Sequence, residues 1–189
     1  MALFYKASSK EMLEARMKIF LEKGMLPLKE HGFLKSPFLG PWFGRDELGG
    51  YSYELCRLAS HSNLELITID ISKGDRWIKI FLNIFILKPV VEKIEQLNRI
   101  DGIQFQLPPN SLTNMRLRID DVSIPPLFNL FGAQHKIGSY LNKGAFDTRI
   151  EELGKLIHQD LKNIDYFIKR WHEINKPLEV KWNGQKIDA

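Results

Sequence analysis

Tyr51–Leu87 reads YSYELCRLASHSNLELITIDISKGDRWIKIFLNIFIL and decides the fold. It divides into three strands joined by two short turns. In the last of them, from Arg76 to Leu87, Ile78, Ile80, Leu82, Ile84 and Ile86 fall on one face, because side chains alternate along a strand. Trp77, Lys79, Phe81, Asn83 and Phe85 fall on the other. One face is wholly apolar and the other half apolar, the pattern of a central strand covered on one side and partly on the other. Lys73-Gly74-Asp75 suits a tight hairpin, and His61-Ser62-Asn63 makes the second turn. Continuous apolar runs are also typical of parallel strands, but turns this short favour antiparallel neighbours.

The other two strands change phase. In the middle strand Leu64 and Leu66 share one face, whereas Ile67, Ile69 and Ile71 share the other. In the first, Tyr51, Tyr53 and Leu55 give way to Cys56 and Leu58. A bulge flips the facing in this way, so a strongly twisted or bent sheet is expected.

Two helices flank the sheet. Ser8 and Glu11 form a capping box, after which Leu13, Met17, Phe20 and Leu21 make a stripe, with Met12, Ala15 and Ile19 at its margins. Gly24 and Pro27 interrupt it, so the helix either kinks there or stops before a short turn to His31. Gly32 suits a left-handed cap. Near the other end, Thr148 and Glu151 read as a second capping box, with Asp147 adding negative charge. Ile150, Leu153, Leu156, Ile157, Leu161, Ile164, Phe167, Ile168 and Trp171 follow at three- and four-residue spacings. A stripe this continuous needs something large to lie on, and Pro177 ends it. The fold class is therefore α+β: a twisted, mostly antiparallel sheet with the N- and C-terminal helices packed on one face.

Lesser elements fill the gaps. Residues 33–50 form a loop rich in Gly, Pro and aromatics. Val90, Val91, Ile94 and Leu97 have the spacing of a short helix. Ile103, Phe105 and Leu107 alternate as a half-exposed strand, and Met115, Leu117 and Ile119 as another, with Pro108-Pro109-Asn110 as the turn between them. LEVKW, residues 178–182, reads as a final strand, with Asn183-Gly184 a turn. The chain, 1–189, reads as one domain, with 120–146 resembling an insertion in which Pro125-Pro126 opens a short helix.

Composition narrows the function. The net charge is +4 and the pI near 9.1, but the 27 lysines and arginines are scattered without a run, which argues against a nucleic-acid partner. A single cysteine, Cys56, allows no internal disulfide and fits a reducing compartment. Nothing resembles a secretion signal or a membrane span, so the expected location is cytoplasmic.

Each catalytic template fails. Gly40, Gly44, Gly49 and Gly50 come without the lysine and following helix of a phosphate loop. No G-x-S-x-G elbow exists. Cys56 sits mid-strand and reads as a small buried hydrophobe. His31, His61, His135, His158 and His172 show no metal-ligand spacing; all five read as surface or interface residues. His158 and His172, on one helix, would stand about 21 Å apart. Asp120-Asp121 suits a turn, although carboxylates near strand ends also hold metals or serve as acid and base. Arg116 and Arg118 either fork around an anion or form the wet side of a half-exposed strand.

LPLKEHGFLK, with its helix, His31-Gly32-Phe33 and the three strands that follow, resembles the bacterial family catalogued as domain of unknown function 4304. The long closing helix RIEELGKLIHQDLKNIDYFIKRW looks like that family's terminal helix. The resemblance spans residues 9–175 and departs from the pattern at Pro37–Gly50 and Asp120–Ala145. It implies a small bacterial cytosolic α+β domain and brings no known active site; some similar small domains act as partners that neutralise toxins. No cofactor or metal is expected.

The reading that follows is a non-enzymatic protein-binding module of immunity or antitoxin type. In it Phe38, Trp42 and Phe43 of the aromatic loop form a contact surface; a packed loop closing the core is the other reading of those residues. The alternative is an enzyme or small-molecule binder using the open sheet face, with Tyr51, Tyr53, Asp70, Arg116 and Arg118 as candidates. Nucleic-acid binding through basic exposed faces is a third.

Overall fold

A computed structural model describes residues 4–121 and 133–187. The helix expected after Pro125-Pro126 lies outside the described residues. Strands β1 (Leu34–Lys35), β2 (Phe43–Arg45), β3 (Tyr51–Leu58), β4 (Asn63–Ile71), β5 (Lys79–Lys88), β6 (Met115–Arg116) and β7 (Leu178–Lys181) form one sheet. Its main path runs β1-β3-β4-β5-β6, with β2 also on β3 and β7 also on β5. Every described strand pair is antiparallel except β5 with β7. Helices α1 (Ser9–Ile19), α2 (Met25–Glu30), α3 (Lys143–Lys162) and α4 (Ile164–Ile174) complete the chain. The α+β class read from the sequence is therefore the one observed.

One face of the sheet carries the helices. Leu55, Ile67, Ile69, Ile80, Leu82 and Ile84 point into it and meet Phe20, Leu153, Ile157, Leu161, Phe167 and Trp171. Ser8 caps α1 by accepting from the Glu11 amide at 3.1 Å. The Glu11 carboxylate also takes the Tyr5 hydroxyl and the Lys143 ammonium. The buried stripe of α1 is Met12, Leu13, Arg16 and Ile19, whereas Leu21 is exposed. Arg16 is buried because its guanidinium donates to the carbonyls of Met12, Ser72 and Trp77.

Gly24 and Pro27 do not stop this helix. The chain passes through a π turn, Phe20–Gly24, straight into α2, and Gly32 caps α2 at φ 80°. A methyl group on Gly24 would stand 2.8 Å from the Phe20 ring and 3.0 Å from Leu161 Cδ1. Gly24→Ala is therefore expected to cost about 1–3 kcal/mol, read as a lower urea midpoint at unchanged slope.

The bulge expected in β3 and β4 is absent. Registers run unbroken from Tyr51↔Ile71 to Leu58↔Leu64 and from Asn63↔Ile86 to Asp70↔Lys79. The apolar residues change face because the sheet is covered on both sides at one end. There Cys56, Leu64, Leu66, Phe85 and Leu87 pack into a second layer with Phe38, Leu97, Phe105 and Val180.

That second layer also corrects other expectations. Ile103–Gln106 is a 3-10 turn rather than a strand; Phe105 is its buried residue, while Ile103 and Leu107 face water. Ile94–Leu97 is likewise a single 3-10 turn, not a helix from Val90. The strand expected from Met115 to Ile119 pairs only at Met115–Arg116, then turns, with Arg118 at φ 62°. It joins β5, not a hairpin with residues 103–107. The long helix starts at Lys143, earlier than Thr148, because Asn142 accepts from the Ala145 amide at 2.8 Å. Asn163 then breaks it into α3 and α4. The loop 33–50 adds β1 and β2 to the sheet edge. No helix among the described residues is long and apolar enough to cross a membrane.

Candidate functional site

Register places three rows across the face opposite the helices: Ser52–Asp70–Lys79, Glu54–Thr68–Phe81 and Cys56–Leu66–Asn83. Polarity falls along this series as it passes beneath the second layer. The layer stops short of the charged end and leaves a cleft of about 870 Å³. Ser52, Thr68, Asp70 and Asn83 form its floor with Phe81. Trp42, Asp46, Glu47 and Leu48 stand on one side, Ile103, Gln106 and Asn114 on the other.

Local chemistry fixes both sides. Asp46 Oδ1 accepts from the amides of Leu48 at 2.9 Å and Gly50 at 2.8 Å, closing the turn after β2. This turn thrusts Leu48 into water, 91% exposed, while Trp42 is 49% exposed. Opposite, Asn83 Nδ2 donates to the Asn110 carbonyl at 2.8 Å, and the Thr113 hydroxyl donates to Asn83 Oδ1 at 2.8 Å. Asn110 Nδ2 in turn donates to the carbonyls of Gln104 and Gly184.

The carboxyl groups differ in setting. Asp70 accepts from the Ser72 hydroxyl at 2.8 Å, and Lys79 Nζ stands 3.6 Å away. Lys79 is closer to Asp75, at 3.1 Å. Glu54, only 5% exposed, accepts from Gln106 Nε2 at 2.8 Å. Burial pushes its carboxyl above the usual range, and the Ser36 hydroxyl and the Gln106 amide offset part of that.

The structure divides the residues singled out from sequence. Phe38 is buried against Phe105, with ring centroids 5.0 Å apart, so it offers no contact surface. Trp42 and Phe43 are exposed, and Lys35 Nζ lies 5.3 Å over the Phe43 ring. Tyr51 and Tyr53 do not face the cleft. They share a face with Leu55 and pack on the helix side, Tyr53 against Phe20 at 4.9 Å. Arg116 lies over Trp77 at 4.3 Å. Arg118 turns away to α3 and holds Asp160 with Nε and Nη2, each at 2.6 Å. Of the open-face candidates, only Asp70 lines the cleft.

His135 also departs from its expected surface position. It is 2% exposed, and its Nε2 lies 2.7 Å from Asp160. His31, also paired with a carboxylate, reaches Asp165 at 3.2 Å through Nδ1. Arg57 joins that second cluster, donating to Glu65 at 2.6 Å, Asp165 at 2.8 Å and the His31 carbonyl at 2.6 Å. Burial pushes the Cys56 thiol up, which suits its packing role. Among the described residues, no three His, Cys, Asp or Glu converge as a metal site would require.

Comparison with known protein families, with curated proteins and with solved structures finds no match to this chain.

Proposed function

We propose that this chain is a non-enzymatic protein-binding module, of immunity or antitoxin type, which receives a segment of its partner in the cleft beside β2. The observation that carries this reading is the apolar rim of a polar-floored cleft. Trp42, Leu48 and Ile103 are all exposed, around a floor of Ser52, Thr68 and Asp70. Clustered exposed apolar side chains mark contact surfaces, and Trp is enriched among residues that dominate binding energy. The resemblance to the 4304 family fits the same reading, through the small α+β domain it implies.

Trp42→Ala is expected to weaken partner binding by about thirtyfold or more, about 2 kcal/mol or above. Because Trp42 is half exposed, stability should move by no more than about 0.5 kcal/mol. Pull-down with the purified chain, followed by titration of the recovered partner, reads the first; thermal melting reads the second. A stoichiometric partner bound equally by the wild type, Trp42→Ala and Leu48→Ser would defeat the proposal.

The cleft's size favours a second reading, a small-molecule binder. At about 870 Å³ it falls within the range of ligand pockets. Native mass spectrometry showing a small ligand, displaced in Trp42→Ala, would select this reading.

A further inference from the structure

We propose that the segment received by the cleft is basic. It is an extended stretch of the partner whose Lys or Arg heads meet the carboxylates of the floor and rim. This rests on the partner-segment reading above. The chain as a whole has more base than acid, 27 groups to 23. The cleft reverses that balance. Asp46, Glu47 and Asp70 line it, and Glu54 occupies the adjoining row beside Thr68. Against these stand Lys73 at the rim and Lys79, which is shared between Asp70 and Asp75.

Glu54 is the second indication. It forms no ion pair with a cation among the described residues; Gln106, itself a lining residue, donates to it, and Ser36 lies beside it. An acceptor carboxyl in the row next to the cleft favours an arriving cationic donor over an arriving anion. The aromatic lining agrees. Trp42 and Phe81 offer ring faces and apolar edges, on which aliphatic stems lie and over which cations settle. The same chemistry is already used inside this chain, where Arg57 lies over Phe33 at 4.6 Å. An acidic or phosphorylated segment would instead meet a surplus of negative charge.

The test titrates the full-length protein, by calorimetry, with four probes. Three are short acetylated peptides in which leucine alternates with lysine, with serine or with glutamate. The fourth is agmatine, a free guanidinium amine. The lysine peptide is expected to bind, the glutamate peptide not to, and added salt to weaken the complex. Glu47→Gln and Asp70→Asn should each weaken lysine-peptide binding about fivefold. Glu47 is exposed, so its variant leaves folding intact. Equal binding of the lysine and serine peptides, both lost in Trp42→Ala, would overturn the charge inference and leave the partner-segment reading standing. Agmatine binding with no peptide binding would overturn the partner-segment reading itself. Failure of all four probes would overturn both, and lysine-peptide binding unchanged in both carboxylate variants would overturn the placement in this cleft.

Discussion

Asp160→Ala is expected to destabilise the protein by about 3 kcal/mol, the lower end of the cost of removing one partner of a buried ion pair. The lower end applies because the Arg118 side chain is 30% exposed and water shares its charge, whereas that of Asp160 is 4% exposed. Removing the carboxylate strands two groups at once: the Arg118 guanidinium and the buried His135 ring. Burial pushes the Asp160 carboxyl up, but hydrogen bonds from Arg118 and His135 outweigh it and hold the group below the usual carboxylate range. The sign follows. A depressed carboxyl contributes stability in full above the unfolded aspartate value of about 3.9, and loses it as pH falls through the folded value. Urea midpoints should thus differ most between wild type and Asp160→Ala near neutral pH. The gap should narrow below about pH 4. A constant gap across that range would contradict the arrangement.

Trp171→Ala should cost more, about 3–5 kcal/mol. The side chain is fully buried in the helix-facing layer, and its Nε1 donates to the Thr113 carbonyl at 2.7 Å. Alanine leaves both a cavity and a carbonyl without its donor. In a chain of this length the loss should lower the melting temperature by roughly 6–20 °C. Trp171→Phe separates the two effects, because it fills most of the space yet removes the donor, and about 1–3 kcal/mol is expected. Thr113 also donates to Asn83 at the cleft floor, so Trp171→Phe should loosen that wall. Faster amide exchange at Asn114 would report it.

The layering was legible because it depends on periodicity. The alternation in β5 and the stripes of α1, α3 and α4 each name a buried face. The phase changes in β3 and β4 were legible too, but their cause was not. An apolar residue on the second face looks the same whether the strand bulges or another layer lies above it, and only the unbroken register separates the cases. Alternation misled at Ile103, Phe105 and Leu107, where Gly102 and Pro108-Pro109 leave room for one anchored turn. Asp160 carried an unread signal. It falls on the helical stripe between Ile157 and Ile164, where a charge inside needs a partner; Arg16 sits on the stripe of α1 in the same way. The cleft itself could not be read, because the turn after β2, the strand floor and the turns around residues 103–114 are brought together only by folding.

The parallel pairing of β7 with β5, from Phe85↔Leu178 to Lys88↔Lys181, also bears on biosynthesis. On a ribosome β5 emerges about ninety residues before the strand that will lie beside it. Throughout that interval Leu64, Phe85 and Leu87 lack Val180, and the nascent polypeptide carries a sticky flank of the sort that chaperones attend. A translation product halted before residue 178 would keep that flank permanently.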